Sequence, residues 1–381
     1  MGFGIFIEPF DVLFFRGGQP FSAAEDHFIE SIFPPTPQTF QGILRSKILA
    51  DQCGRFEEYR KSCRGCEKKG ECQIPDEIGS PGDDYGKLTI VGPFLAKMDE
   101  EGITPHFSPP IDLLREEKED TEDLFVHTPR PFEEFRSEDF LNDLGSVPFP
   151  FIKEPSGLKP LGKNFLSWTE MKQYLAGRLK TVKKLSYYIE YRSGIARDKN
   201  KMTTKRGYLY NAGFIRLEGG LGLFANIDGL SNPPSQLSPI GIGGEGKAGI
   251  CHKVDKFNFE LPKSIFEDIS KSKKFKVVLT QPAFFQNGWR PSWINDDLTG
   301  EYQGIKLKLL SACVGKPVHI GGFDIARKIP KPMKKAVPAG SVYYFEILDG
   351  DIETIIKIFH NKNISNELSQ IGFGHFFVGG V

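Results

Sequence analysis

EPFDVLFFRGGQPFSAAEDHFIESIFPPTPQTFQGILR, residues 8–45, decides the fold, because it joins an apolar strand to a helix through a loop dense in Gly, Arg and Phe. Ile5, Ile7, Val12, Leu13, Phe14 and Phe15 carry the apolar, aromatic character of a buried strand over 3–15. Gly17 and Gly18 let the main chain turn tightly beside Arg16. Pro34, Pro35 and Pro37 hold off a helix until Thr36 can serve as N-cap with Pro37 at the first helical position. Phe40, Ile43, Leu44 and Ile48 then recur at helical spacing over 37–50, which leaves Arg45 and Lys47 off the apolar face. Strand, basic glycine loop and helix in that order open a ferredoxin-like unit of the kind that RNA-recognition folds use.

Beyond this stretch come a cysteine-bearing insertion (51–80), a strand (87–95) and a long acidic insertion (99–143). Met171, Leu175 and Leu179 predict a helix over 168–185. Strand signals over 185–191 and 208–217, with KNKMTTKRG between them, predict a long hairpin with a charged tip, and 219–226 supplies a further strand. A second unit opens near Lys263. Strands at 276–285, 305–313, 340–348 and 372–378 and a helix at 352–361 fit another ferredoxin-like arrangement. The expected fold class is therefore α+β, with one unit over 1–262 and another over 263–381.

At 381 residues and 39% apolar composition the chain can bury real cores. The apolar start is cut by Glu8, Pro9 and Asp11 and has no basic leader, so neither a signal peptide nor a membrane span is expected, and the cytoplasm is the simplest address. Formal charge is zero, which argues against coating nucleic acid by bulk charge. Its distribution is uneven. Residues 99–143 hold fifteen acidic against four basic side chains, whereas 178–206 hold ten basic against two acidic. Such segregation makes local potentials that the net charge hides.

Cys53, Cys63, Cys66 and Cys72 follow the pattern C-x9-C-x2-C-x5-C in a segment too polar to form a core of its own. Four thiolates in that span suit a structural zinc ion; free or redox-active thiols and disulfides are the alternatives, the last requiring an oxidising compartment. Gly241, Gly243 and Gly246 match G-x-G-x-x-G, yet Ala248 follows Lys247 where a P-loop needs a hydroxyl, so a nucleotide loop is not expected. Gly243, Gly244, Gly246 and Lys247 can instead press backbone N–H groups and one cation against phosphate, or form a plain turn. Arg192, Arg197, Lys205, Arg206 and Tyr208 interleave cations with aromatics, a mix that serves unpaired bases and phosphates together. Arg327, Lys328, Lys331, Lys334 and Lys335 form a second basic run, extended rather than helical because Pro330 and Pro332 break it. Metal-protease, serine-hydrolase and full Walker signatures are absent. His27 is the best catalytic candidate, though a loop residue touching RNA is the simpler role.

Residues 8–21 (EPFDVLFFRGGQPF), 31–49 (SIFPPTPQTFQGILRSKIL), 241–249 (GIGGEGKAG) and 336–346 (AVPAGSVYYFE) together resemble, in order, the signature segments of the RAMP protein that forms the third subunit of the Cmr (type III-B CRISPR) effector complex. The chain departs from that pattern at Gly17, where Asp is usual, and at Gln19, where Arg is frequent; Arg16 and Phe21 match. The resemblance implies two ferredoxin-like units in a non-catalytic RNA-binding subunit that holds the repeat-derived 5′ tag of crRNA. It further implies docking to the large polymerase-like subunit and to a backbone RAMP subunit. Arg16, Arg45, Arg192, Arg197, Lys205, Arg206 and Lys247 would then neutralise RNA phosphates, Phe15, Phe21 and Tyr208 would stack on or wedge between bases, and His27, Lys47 and the 327–335 cations would also touch RNA. A RAMP endoribonuclease that processes precursor crRNA and a zinc-stabilised protein adaptor are the alternatives.

Overall fold

The computed structural model describes residues 2–17, 28–68, 70–116, 123–131, 150–152, 157–197 and 201–381; side chains at 130, 131, 150, 151, 196 and 204–208 are outside the description. Mixed α+β is the class, with strands dominant and helices few. Phe3–Pro9 lies inside a seven-stranded sheet between Leu221–Asp228 and Ala248–Val254, and Thr89–Asp99 pairs with the far side of Leu221–Asp228. Lys274–Leu279 lies inside a six-stranded sheet between Val342–Asp349 and His375–Gly380, with Ile305–Cys313 beyond Val342–Asp349. Numbered along the chain, the four principal strands of each sheet run second, third, first, fourth in space, and every neighbouring pair is antiparallel.

Local signals set the helices. Thr36 caps helix Pro37–Ile48 by accepting a hydrogen bond from the Thr39 N–H at 3.3 Å, and Pro37 sits in the first turn, where its missing N–H costs nothing. Phe40, Leu44 and Ile48 are fully buried under the first sheet. The expected helix over 168–185 is Trp168–Leu175 only, opened by a Ser167–Glu170 capping box and ended at Gly177, whose φ is +65°. Leu179 still reaches the core, but by way of the turn.

The expected strand over 3–15 stops at Pro9; Val12–Phe15 remain buried through pairing of Leu13 with Ile215 and of Arg16 with Ser31. The expected hairpin is longer than its sequence signals, with Tyr188–Arg197 pairing with Thr204–Arg216, and Phe28–Glu30 adds a parallel third strand. One apolar core runs through both sheets, from Phe6, Phe94 and Phe224 to Phe275, Tyr343 and Phe377. A polar knot sits within it. Asp112 accepts hydrogen bonds from the hydroxyls of Tyr174 (2.7 Å) and Tyr344 (2.6 Å), while the Lys276 ammonium lies 3.7 Å from the Tyr174 ring centre and donates to its carbonyl. Buried charge is tolerable only when partnered in this way. Among the described residues no helix is long and apolar enough to cross a membrane.

Candidate nucleic-acid interface

The hairpin register puts Tyr188, Glu190 and Arg192 opposite Arg216, Phe214 and Ala212, so these six side chains share one face. Ala212 and Phe214 turn their apolar surface onto Val12 and Phe14. Around Phe214 the charged groups gather. The Arg192 guanidinium lies 5.1 Å and the Lys247 ammonium 5.2 Å from the Phe214 ring centre. Arg216 donates to Asp11 at 3.2 Å, and Arg192 and Lys247 each stand 3.6 Å from the same carboxylate. Glu190 bridges Arg192 (2.6 Å) and Arg216 (2.5 Å). A hydrogen bond from the Val12 N–H, aided by the three cations, lowers the Asp11 pKa, and hydrogen bonds from Arg216 and Arg192 lower that of Glu190. Three cations thus share two ionised carboxylates, and beside them Tyr188, 60% exposed, donates from its hydroxyl to a third carboxylate, Glu218, at 3.2 Å.

Lys247 owes its place to the glycine loop. The loop turns between Ser238–Gly241 and Ala248–Val254, and Gly244 N–H donates to the Phe14 carbonyl at 2.9 Å. Gly243 has φ +68°, and a Cβ there would fall 2.4 Å from that same carbonyl oxygen, so only glycine fits. The loop is therefore a hairpin turn pressed onto the 12–16 segment, with its Gly244 N–H already engaged and Lys247 turned to Asp11; Gly246 also has a positive φ, with open space around it.

On the opposite face of the hairpin the rings of Phe28 and Tyr191, both more than half exposed, stand 5.1 Å apart. Phe28 also borders a cavity of about 670 Å³, lined by Arg16, Glu30 and Thr36 on one side and by Gln281 and His319 on the other. Arg16 is exposed at its edge.

The other sequence-predicted residues separate into groups. Phe21 and His27 lie outside the described residues, as do the side chains of Lys205, Arg206 and Tyr208 on the second hairpin strand; Arg197 is exposed near the hairpin's end. Phe15 is packed in the core against Phe33, so its ring offers a base no free face. Arg45 is spent on the carbonyls of Ile78 (2.8 Å) and Asp84 (2.5 Å), fastening the cysteine-bearing insertion. Lys47 is buried between Asp51 (2.7 Å) and Ser238 (2.6 Å). The second basic run is a strand, Ile329–Ala336, paired with Val318–Asp324; its Arg327 donates to the Pro81 carbonyl at 2.9 Å, Lys331 meets Asp83 at 3.4 Å and Lys334 pairs with Glu367. Lys328 and Lys335 are exposed. Arg216, Asp11 and Glu190 had no sequence signal that set them apart.

Cys53, Cys63, Cys66 and Cys72 all pack against the apolar cluster under the first sheet, and none is in a disulfide. Among the described residues no three His, Cys, Asp or Glu side chains converge on a point that would hold a metal ion. Cys251 is an ordinary core thiol, pushed up to about 11 by burial.

Comparison with known proteins places this architecture. No curated protein matches the chain. A chain in a cryo-EM structure of a type III-B Cmr-beta complex bound to cognate target RNA is 17% identical, over 98% of this chain and 96% of that one, with a TM-score of 0.50. A chain in the same kind of complex with target RNA and AMPPnP is 17% identical over 97% and 94%, with a TM-score of 0.49. The model of the CRISPR-associated protein family Cas_Cmr3 matches residues 5–381, and the chain accordingly belongs to the Cmr3 family.

Proposed function

We propose that this chain is the guide-RNA-binding subunit of a type III-B CRISPR effector, holding the repeat-derived 5′ tag of crRNA and docking the large polymerase-like subunit and a neighbouring backbone RAMP subunit. The observation that carries this reading is the convergence of three cations from two hairpins: Arg192 and Lys247 lie over the Phe214 ring, and Arg216 shares Asp11 with both. The Phe214 ring is itself buried under the cations, and the exposed ring on this face is Tyr188; cations beside an exposed aromatic serve single-stranded RNA, whose phosphates and bases present themselves together. The strand order shared by the two sheets supports a pair of ferredoxin-like units, each resting on antiparallel pairing around its first strand.

We read the subunit as non-catalytic. His375 is held by Thr280 (2.5 Å) and Asn361 (2.8 Å), and His360 by the Phe259 carbonyl (2.6 Å), so these two imidazoles are structural. The test is to purify the complex and crosslink it. A discrete small RNA should attach to this chain, and repeat-tag RNA incubated with the isolated protein should stay intact with or without magnesium. Repeat-specific cleavage that disappears in His27→Ala would hand the case to a processing endoribonuclease, and a partner retained unchanged after ribonuclease treatment would point to a protein adaptor.

A structural zinc ion on Cys53, Cys63, Cys66 and Cys72 is part of the same proposal, supported by their packing against one cluster. Binding requires the 53–72 segment to draw its thiolates together, and the metal would then pin that segment. Anaerobically prepared protein should carry about one zinc per chain, and Cys63→Ser with Cys66→Ser should abolish it. Metal-free wild type, or an unchanged metal content in the double variant, would remove the site.

A further inference from the structure

We propose that the Val318–Asp324/Ile329–Ala336 hairpin is a protein-docking surface whose partner presents an apolar pocket rimmed by carboxylates. This rests on the reading of the chain as one subunit of a larger assembly. Phe323 (58%) and Ile329 (50%) are exposed on opposite faces of this hairpin, Ile325 (69%) stands in the turn between them and Met333 (44%) lies further along the second strand, so a pocket that closes round the end of the hairpin would cover its large apolar side chains. The hairpin is not a loose arm. Ile320 and Ala336 anchor its root in the core, Gln38 donates to the Gly321 carbonyl at 3.0 Å, and Arg327 and Lys331 tie it to Pro81 and Asp83 of the first unit. Asp324 accepts from the Arg327 N–H at 3.0 Å and fixes the turn. An apolar tip on a preorganised support loses little freedom on docking.

Charge and side-chain type select protein over RNA. The only acid of the hairpin is Asp324, already engaged with Arg327, so the surface is basic and calls for an acidic rim opposite. Three of its five cations are occupied by protein groups, and Lys328 and Lys335 lie at opposite ends, too far apart to track a backbone as a row. Three of the four exposed apolar residues are aliphatic and have no π-face for a base, in contrast to the aromatic hairpin that carries Tyr188 and Tyr191.

The experiment co-expresses the full chain with the other protein subunits of its own Cmr complex and compares wild type with Ile325→Asp/Ile329→Asp. Both positions are exposed, so folding is expected to persist, and an unchanged melting temperature checks it. Incorporation of the double variant should fall at least tenfold, wild-type incorporation should survive ribonuclease, and the isolated variant should bind RNA as wild type does. Lys328→Glu/Lys335→Glu should weaken incorporation and remove part of its salt sensitivity. Full incorporation of the aspartate variant overturns the proposal, as does retained incorporation with lost RNA affinity, which would make nucleic acid the occupant. If wild type binds no RNA while the aspartate variant still fails to assemble, the RNA reading fails and this surface stands.

Discussion

Alanine at Arg192, Arg216 and Lys247 together should weaken binding of single-stranded tag RNA on the order of 100-fold and make its salt dependence shallower by about 2 in slope, since each lost phosphate contact on a single strand removes about 0.7. The three positions act as one site because they share Asp11 and Glu190 as counter-charges, so single substitutions should sum to less than the triple. Those carboxylates also compete with RNA. Phosphate has to displace them from the cations, and Asp11→Asn should therefore strengthen binding a few-fold at low salt, the opposite direction to the cation substitutions. Tyr188→Ala, if the ring carries a base, should reduce affinity by roughly 1–3 kcal/mol with the slope nearly unchanged. Equilibrium binding across a salt series separates these outcomes. Wild-type affinity and slope in the triple variant would mean that this cluster only braces the hairpin and that the RNA runs along the Arg16 cavity instead.

Helix Pro37–Ile48 was legible because its signals are local: a capping hydroxyl, a proline that fits only the first turn and an apolar stripe. The same stripe logic overran at Gly177, because Leu179 keeps the helical period while the backbone has already turned; its burial is tertiary. At the interface, Lys247 could be found from the glycine loop that presents it. Arg216 could not. It ends an ordinary strand, and the acids that define its role are 26 and 205 residues away, Glu190 by hairpin register and Asp11 by docking of the 10–16 segment. Distance also misleads for Arg45 and Arg327. Sequence marks both as basic, whereas their partners around 78–84 make them fasteners of the cysteine-bearing insertion. A cation's function depends on whether the fold has already supplied its anion or carbonyl, and only register and packing decide that.

Acid should destabilise this protein well before its exposed carboxylates titrate, because the second sheet closes over neutral imidazoles. His375 is completely buried beneath Phe94, Phe259 and Phe377, and burial holds its pKa down to about 3; burial likewise holds His360 down to about 4, and lowers His106. In the unfolded chain each histidine returns to about 6.5. Below that pH the unfolded state binds protons that the folded state refuses, so stability is full above pH 7 and falls as pH drops from 6.5 towards the folded values. With two histidines the loss is roughly 2.7 kcal/mol per pH unit, on the order of 4 kcal/mol between pH 6.5 and pH 5. The exposed carboxylates that are held low, among them Asp11, Asp297 and Asp351, weigh in only below about pH 4, whereas burial raises the Asp112 pKa and gives that carboxyl the opposite sign, so the imidazole part of the slope is read as the difference between wild type and a histidine variant. Urea denaturation at a series of pH values measures the slope directly. His360→Gln, which removes the titrating group while keeping an amide that can donate towards the Phe259 carbonyl, should reduce the slope by close to one proton whatever it does to absolute stability. A stability that stays level from pH 7 to pH 5 would show that protons reach these rings in the folded state, and the closed packing of His375–Gly380 against Phe94 and Phe259 would then be wrong.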